Sequence, residues 1–446
     1  MGQVWQLGKW SVSWRQVSVG FLFLLTAVFE SLSVPLAGGH ESSSADSVGR
    51  HPTPINISVS PVVLIPGIGG SIISDKKSGL RVWIRLSSAS FYFQRFMWGN
   101  YNVTTETMEP LPGQPETGPL LSGYGLDGIR NLDPSSHWPI YDFVVYYDAI
   151  IRVLQSQGWI AGQSLFGVPW DWRQSMCWPP TMLSLKQTIT TAMKKNGGRK
   201  VSLISHSMGG LVVKCFLAKY PDFFEQSVDA WVGIGTPHQG AGAKILLEFL
   251  QGYDLGNYAI KSEDAKALSL EAPSVYELLP QEEFPWQQPP FITMDKDGVA
   301  IRLLPRTYSQ PIREALTNHT RKLPPDHAVS PEPFNDECFA LSKRTRSLVA
   351  SPLLPPSVRY YNVHGMGQAT PLGLMFGNIS RYEELTTKKY TLSNTDGDGT
   401  VPVESAVAHG MTARATLGVS STHMALLQQK ATIDLILRAV YDREEE

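Results

Sequence analysis

The chain has 446 residues, of which 42 % are hydrophobic and 17 % are charged, a composition typical of one large or two ordinary globular domains and not of a disordered chain. Its 38 basic and 40 acidic residues give a formal net charge of −2, so the overall charge gives no reason to expect nucleic acid or a strongly anionic membrane as partner. Three cysteines without CxxC or Cys/His metal spacing argue against a disulfide scaffold and against zinc.

The first residues, 1–37, have the layout of a secretory signal peptide. Basic Lys9 and Arg15 precede the apolar stretch 17–29, and small residues follow it. This stretch is shorter than the roughly 20 apolar residues of a membrane-spanning helix, which favours a cleaved signal over a retained anchor. Residues 38–60, rich in Ser, Gly and Pro, are predicted to be a linker. We therefore expect the protein in the endomembrane lumen or outside the cell, with membrane association through the N-terminal segment as the alternative.

Sequons and cysteines are compatible with that route. Four Asn-x-Ser/Thr sequons, which would make the protein a glycoprotein, occur at Asn56, Asn102, Asn318 and Asn378. Cys215 lies among apolar residues of a predicted helix, so we expect it in the core. Cys177 and Cys338 are then expected either to pair in an oxidising compartment or to stay free.

From Pro61 onwards, strand and helix patterns alternate. The run 62–65 is apolar and β-branched, as in a strand buried on both faces, and a helical period of three and four residues follows at 145–154. The next predicted elements are a strand at 164–168, a helix at 183–198, a strand at 200–205, a helix at 211–221 and a strand at 230–237. Such alternation predicts an α/β fold with a mostly parallel sheet and helices on both faces.

The alternation fails between about 240 and 356, where the sequence is proline-rich and irregular, and we predict an insertion that caps the sheet. Strand patterns return at 358–365, 388–394 and 413–419, and the chain closes with a predicted helix at 423–440.

The turn Ser205-His206-Ser207-Met208-Gly209 lies between a predicted strand and a predicted helix. A serine in this position is typical of the nucleophile elbow of α/β-hydrolases, which usually reads G-x-S-x-G because the flanking residues press against backbone. Ser207 is the expected nucleophile, since it has glycine two residues later, and Ser205 is the alternative. The other interpretation is a serine-rich turn that has no catalytic role.

A serine nucleophile needs a base and a carboxylate, and in α/β-hydrolases both follow it in the order acid, then histidine. Asp398, in the glycine-flanked loop TDGDGTVP, is the expected acid. The same loop resembles a tight turn or a calcium loop, but an EF-hand beginning at Asp396 requires Glu at its twelfth position, where Val407 stands. His423, between the last predicted strand and the closing helix, is the expected base, and His409 is the alternative.

An oxyanion hole usually combines the amide that follows the nucleophile with one from the loop after the first strand. Met208 supplies the first amide, and Ile68, in the glycine-rich PGIGGS, supplies the second. A merely tight turn is the other interpretation of these glycines.

Several ordered motifs together make the chain resemble the lecithin:cholesterol acyltransferase-like family of lipid acylhydrolases and acyltransferases. The resemblance runs from about Pro61 to the final helix. It rests on PVVLIPGIGGS, RVWIRL, FGVPWDWRQS, GGRKVSLISHSMGG, IGTPHQGA, APSVYELLP, DGDGTVP and the late His423. GIGGSI, SHSMGG and APSVYELLP are most similar to the plant phospholipase A1 branch.

The resemblance implies the same catalytic and oxyanion residues as the motifs do. It also implies an α/β-hydrolase domain over 61–446, with a cap at about 240–356 and an N-terminal lipid-binding subregion at about 85–125. In that subregion the aromatic Phe93, Phe96 and Trp98 are expected either to contact lipid or to form the core of the cap.

The implied activity is hydrolysis of an acyl ester of glycerophospholipids through an acyl-enzyme. Transfer of the acyl group to a sterol or another lipid alcohol is the alternative, and a non-catalytic lipid-binding carrier is the alternative from another class. The implied partner is a phospholipid at a membrane or lipoprotein-like surface, with a lipid-alcohol acceptor in the transferase case. No metal, organic cofactor or nucleic acid is implied.

Overall fold

The computed structural model describes residues 60–85, 89–133, 145–252, 260–323, 328–350 and 352–441. The predicted signal segment 1–37 lies outside the described residues, as does the predicted linker 38–60 except for Ser60. In the described ranges, no helix has the length and the apolar character needed to cross a membrane.

The strands are numbered along the chain. They are β1 (Val62–Ile65), β2 (Ile73–Asp75), β3 (Arg81–Trp83), β4 (Gly99–Asn102), β5 (Thr107–Pro110), β6 (Thr117–Pro119), β7 (Leu165–Gly167), β8 (Val201–His206), β9 (Val228–Ile234), β10 (Phe291–Lys296), β11 (Val299–Leu303), β12 (Thr320–Leu323), β13 (Ala328–Pro331), β14 (Arg359–Met366), β15 (Gln368–Ile379), β16 (Tyr390–Gly397) and β17 (Ala415–Ser420).

A six-stranded sheet with the order β17-β14-β9-β8-β1-β7 forms the centre of the fold. All five of its strand pairings are parallel. The apolar run of β1 and all of β8 are buried, as expected for strands covered on both faces. The carboxyl ends of parallel strands meet at one edge of a sheet, so the residues that follow β1, β8 and β14 lie near one another.

The helices and the insertion surround this sheet. The α-helices are Ala89–Phe96, Asp127–Arg130, Asp148–Ser156, Pro179–Lys195, Gly209–Lys219, Pro221–Ser227, Ala243–Gln251, Ser262–Ser269, Pro273–Glu277, Ser309–Leu316, Asp336–Val349, Val403–Val407 and Lys430–Tyr441. The predicted helix at 183–198 begins earlier, because Pro179 suits the first turn, and ends at Lys195 before two glycines.

The segment between about 240 and 356, which interrupts the strand–helix alternation of the sequence, has regular secondary structure. That segment contains helices and strands, and its strands β10 and β11 join β15 and β16 in a second, four-stranded sheet with the order β11-β10-β15-β16. The predicted strand at 388–394 belongs to this smaller sheet as β16, not to the central one, because it pairs antiparallel with β15. The smaller sheet therefore carries the chain directly to Asp398.

The disulfide differs from the expected pairing. Cys177 bonds to Cys215, with a Cα–Cα distance of 5.6 Å, and Cys338 is a buried free thiol. Cys177 lies just before the helix Pro179–Lys195, and Lys219, at the end of the helix Gly209–Lys219, donates to the Cys177 carbonyl at 3.1 Å. Cys215 is buried, as predicted from its apolar neighbours, but it is bonded there.

The aromatic segment of the N-terminal subregion lies in the core. Phe93, Phe96 and Trp98 are 1 %, 8 % and 4 % exposed, so the structure corrects the expectation that they contact lipid and agrees with the alternative of a core role. Phe93 and Phe96, three residues apart, share one face of their helix. The Trp98 indole donates a hydrogen bond to the Asp264 carbonyl at 3.0 Å. Phe91, by contrast, is 62 % exposed.

Arg173 links this aromatic segment to the rest of the fold through hydrogen bonds. Its buried guanidinium forms two hydrogen bonds with the Asp171 carboxylate, at 2.8 and 2.7 Å. It also donates to the Phe96 carbonyl at 3.2 Å and to the Thr117 hydroxyl at 2.8 Å. The pair thus has the structural role that an isolated Asp–Arg motif suggests.

Candidate active site

Ser207 occupies a sharp turn between β8 and the helix Gly209–Lys219. Its φ is 54°, in the left-handed region that a residue with a side chain rarely adopts and that a nucleophile elbow requires. A Cβ at Gly209 would lie 2.5 Å from the Ile65 carbonyl oxygen, so the second residue after the serine must be glycine. The turn therefore has the backbone that the motif predicts.

Ser205 lies below this turn and faces the core. It is fully buried, and its hydroxyl accepts a hydrogen bond from the Trp231 indole at 2.9 Å. That bond explains why serine is tolerated where the motif usually has glycine. Ser207 is thus the serine that faces the histidine.

Ser207, His423 and Asp398 form one hydrogen-bonded chain. His423 Nε2 lies 2.9 Å from Ser207 Oγ, and His423 Nδ1 lies 2.7 Å from Asp398 Oδ2. The backbone N–H of His423 also donates to the Asp398 carbonyl at 2.9 Å, which fixes the histidine loop on the aspartate loop. The distances are those of a serine nucleophile, its base and an orienting carboxylate.

Asp398 is 2 % exposed, yet it is held ionised. Burial alone would raise the pKa of its carboxyl, but the charge and hydrogen bond of His423 and the amides of Val401 and Thr400 outweigh burial and lower that pKa. The two amides donate to Asp398 Oδ1 at 2.7 and 2.9 Å. One carboxylate oxygen is thus anchored while the other faces the imidazole.

The alternative residues have other contacts. The His409 ring lies 5.9 Å from the His238 ring and 5.2 Å from the Tyr360 ring, and its Nδ1 accepts from the Met411 amide at 3.2 Å. The Asp396 carboxylate accepts from the Gly367 amide at 2.5 Å. Both side chains therefore hold neighbouring backbone or rings.

The two amides expected to form the oxyanion hole lie beside Ser207. Met208 follows it directly, and a Cβ at Gly67, next to Ile68, would lie 2.6 Å from the Ser207 Cβ. Within the described ranges, neither the Ile68 nor the Met208 N–H donates a hydrogen bond to the protein. Both donors remain available for an oxygen bound at Ser207.

The loop that carries Ile68 is held on both sides. The Trp170 indole donates to the Pro66 carbonyl at 2.9 Å, and the Gly70 amide donates to the Gly67 carbonyl at 3.1 Å. These bonds close a turn around Ile68 and limit its movement.

Sequence reasoning did not single out two buried residues at this site, Tyr146 and His206. The Tyr146 hydroxyl contacts both the Gly67 amide, at 3.0 Å, and His206 Nδ1, at 2.7 Å. Adjacency to Ser207 is a signal for His206, but Tyr146 is 79 positions from Gly67 and only the fold brings it there.

Comparison with known proteins finds relatives over most of the chain. The lecithin:cholesterol acyltransferase family model matches residues 101–330. The phospholipase A(1) LCAT3 of Arabidopsis thaliana is 33 % identical over 401 residues, covering 84 % of this chain and 89 % of that protein. The lysosomal phospholipase A and acyltransferase of Rattus norvegicus is 25 % identical over 417 residues, covering 87 % and 85 %.

Among solved structures, the Tle4–Tli4 complex contains a similar chain. The TM-score is 0.51 at 14 % identity, and the match covers 85 % of this chain and 98 % of that one. At that identity the likeness concerns the fold alone, and it agrees with the parallel sheet described above. The predicted α/β-hydrolase fold is confirmed, and the chain belongs to the lecithin:cholesterol acyltransferase family.

Proposed function

We propose that this protein is a serine acylhydrolase that cleaves an acyl ester of glycerophospholipids. The observation that carries the proposal is the hydrogen-bonded chain from Ser207 through His423 to Asp398. Beside it lie the Ile68 and Met208 amides, which donate no hydrogen bond within the described ranges. The substrate class rests on family membership and on the names of the relatives, which include phospholipase A(1) and phospholipase A.

In the first half of the proposed reaction, Ser207 Oγ attacks the ester carbonyl carbon while its proton passes to His423 Nε2. Asp398 stabilises the imidazolium that forms. The Ile68 and Met208 amides hold the negative oxygen of the tetrahedral intermediate. Its collapse breaks the ester C–O bond, His423 returns the proton to the leaving lysophospholipid oxygen, and an acyl-serine remains.

In the second half, His423 takes a proton from a water molecule, whose oxygen attacks the acyl-serine carbonyl. Collapse releases a fatty acid and restores the Ser207 hydroxyl. If a lipid alcohol occupies the place of water, the same steps form a new ester, so hydrolysis and transfer are two outcomes of one intermediate. The rat relative named phospholipase A and acyltransferase supports keeping transfer as the second candidate. A complete triad argues against the non-catalytic carrier.

A secretory location is part of the proposal. The Cys177–Cys215 disulfide favours an oxidising compartment. Two sequon residues, Asn318 and Asn378, are exposed and Asn102 is half-buried, so each of the three reaches the surface, where a glycan can be attached. The relative named lysosomal phospholipase A and acyltransferase points to the same route. Loss of mass on enzymatic deglycosylation, together with N-terminal sequencing of the mature protein, tests it.

The activity is tested with purified wild type and Ser207→Ala on phosphatidylcholine that carries different labels on its sn-1 and sn-2 chains, with and without a sterol. Release of one label by wild type alone is expected, and it identifies the ester that is cut. Sterol ester formation by wild type would identify transfer. Lipid binding without turnover across pH and head groups would contradict the proposal and favour the carrier.

A further inference from the structure

A chain of hydrogen bonds runs behind the candidate active site and joins its two halves. The Gly67 amide lies 3.0 Å from the Tyr146 hydroxyl oxygen, which lies 2.7 Å from His206 Nδ1. His206 Nε2 lies 3.1 Å from the backbone carbonyl oxygen of His423. One end is thus the residue before Ile68 in the oxyanion loop, and the other end is the base itself.

The direction of every proton in this chain follows from its ends. The His423 carbonyl oxygen only accepts, so His206 Nε2 carries the hydrogen. In a neutral imidazole Nδ1 is then bare and accepts, so the Tyr146 hydroxyl donates to it. The hydroxyl oxygen remains free to accept from Gly67 N–H, which is a donor only.

Burial keeps this direction constant. His206 is 1 % exposed, and burial together with the neighbouring His423 imidazole lowers the pKa of His206 to about 3. Burial also raises the pKa of the Tyr146 phenol. Neither side chain changes its charge near neutral pH, so the polarity of the chain does not reverse.

The Tyr146 ring occupies space that a glycine leaves open beside the oxyanion loop. A Cβ at Gly70 would lie 2.7 Å from a Tyr146 ring carbon, so glycine at this place lets the ring reach the loop. The Tyr146 ring also packs edge-on against the His206 ring, with 5.4 Å between centroids. The Gly67 N–H is thereby turned towards Tyr146.

We propose that Tyr146 is a positioning residue that, through His206, holds the oxyanion loop and the catalytic base in register. The inference rests on the proposed serine mechanism and deepens it. With Gly67 N–H held by Tyr146, the next amide, Ile68, stays directed at the developing oxyanion. His206 holds the backbone carbonyl of His423 while Asp398 holds its backbone amide and its ring, so residue His423 is fixed at three points.

The test compares Tyr146→Phe with Tyr147→Phe, wild type and Ser207→Ala in the full chain. Tyr147 is the matched control, because its equally buried hydroxyl donates to the Ile65 carbonyl at 3.0 Å and meets His206 at its backbone, not at its imidazole. The substrates are a soluble p-nitrophenyl ester and its thionoester, in which the oxygen that becomes the oxyanion is replaced by sulfur. Thermal midpoints are measured in parallel.

Loss of a whole oxyanion donor lowers kcat by roughly 100- to 1000-fold, so loosening one should lower it by about 10- to 100-fold. We expect Tyr146→Phe to lose that much kcat on the oxygen ester with little change in KM, and to discriminate less between the oxygen ester and the thionoester. Tyr147→Phe should keep kcat within about threefold, although its thermal midpoint also falls.

Equal kcat losses in the two phenylalanine variants would overturn the inference, as would wild-type kcat in Tyr146→Phe. Undiminished activity of Ser207→Ala would instead refute the proposed function. If Tyr146→Phe does not fold, His206→Asn and His206→Leu test the same chain. Asn keeps an acceptor for Tyr146 and Leu does not, so kcat should be higher in the Asn variant, and equal kcat values would contradict the inference.

Discussion

His423 Nε2 lies 2.9 Å from Ser207 Oγ although the two residues are 216 positions apart in the chain. The contact forms because Ser207 follows β8 and His423 follows β17, and parallel strands present their carboxyl ends at one edge. Ser207, and not Ser205, is therefore the serine that lies within hydrogen-bond distance of His423.

The two serines therefore give a matched pair of variants. Ser207→Ala should lower esterase kcat by at least about 1000-fold, because the nucleophile is lost. Ser205→Ala should keep kcat near wild type. It should lower the free energy of unfolding by about 1 to 2 kcal/mol, since the buried Trp231 indole loses its acceptor. Steady-state kinetics and urea unfolding measure both. A large kcat loss in Ser205→Ala alone would contradict this assignment.

Asp398 is predicted to act through the tautomer of His423. Asp398→Asn preserves shape but removes the charge that stabilises the imidazolium, so kcat should fall by about 1000- to 10 000-fold while the fold persists. Labelling of Ser207 by a fluorophosphonate should slow in parallel. Asp396→Asn is the control, because the Asp396 carboxylate accepts from the Gly367 amide, whereas His423 is bonded to Asp398. Equal activities of the two variants would contradict the prediction.

Gly67 is predicted to be indispensable for a steric reason. In Gly67→Ala the new methyl carbon would lie 2.6 Å from the Ser207 Cβ and 3.1 Å from the His206 carbonyl oxygen, so the oxyanion loop must shift. We expect kcat to fall by at least about 100-fold, as for the loss of an oxyanion donor. Gly377→Ala, where nothing lies within 4 Å of the added carbon, should retain wild-type activity and stability. Full activity of Gly67→Ala would show that the loop is not held where the structure has it.

Stability should fall in acid because of His206. Its folded-state pKa of about 3 lies below the unfolded value of about 6.5, so between these pH values the unfolded chain binds a proton that the folded chain does not. The free energy of unfolding should thus decrease by about 1.4 kcal/mol per pH unit for this residue as pH falls from 6.5 towards 3. Urea unfolding of His206→Leu should show a slope smaller by that amount. Identical slopes in wild type and variant would contradict it.

The Cys177–Cys215 disulfide predicts a simple thiol count. Without reductant, denatured protein should take up one equivalent of alkylating reagent, at Cys338, and three after reduction. Cys177→Ala combined with Cys215→Ala should lower stability by about 4 kcal/mol, given the 38-residue separation of the two cysteines. Mass spectrometry and thermal unfolding measure both. Three reactive thiols without reductant would contradict the pairing.

Local patterns account for much of the architecture. The apolar run at 62–65 and the strand-turn-helix around Ser207 were predictable, because buried parallel strands and a nucleophile elbow constrain consecutive residues. The order of Ser207, Asp398 and His423 was predictable for a related reason, since the topology of the fold fixes which loops follow one another. Their catalytic roles stay predictions until the variants are measured.

The sequence by itself thus determined the fold class, the family and the candidate residues that sit in local motifs. The tertiary structure alone decided the Cys177–Cys215 pair, the burial of the aromatic rings of Phe93, Phe96 and Trp98, and the place of β16 in a second sheet. It also alone decided the contacts of Tyr146, which depend on segments 60 and 79 positions away. Such contacts are set by how whole elements pack, and no local period or motif records which distant side chain will fill a given space.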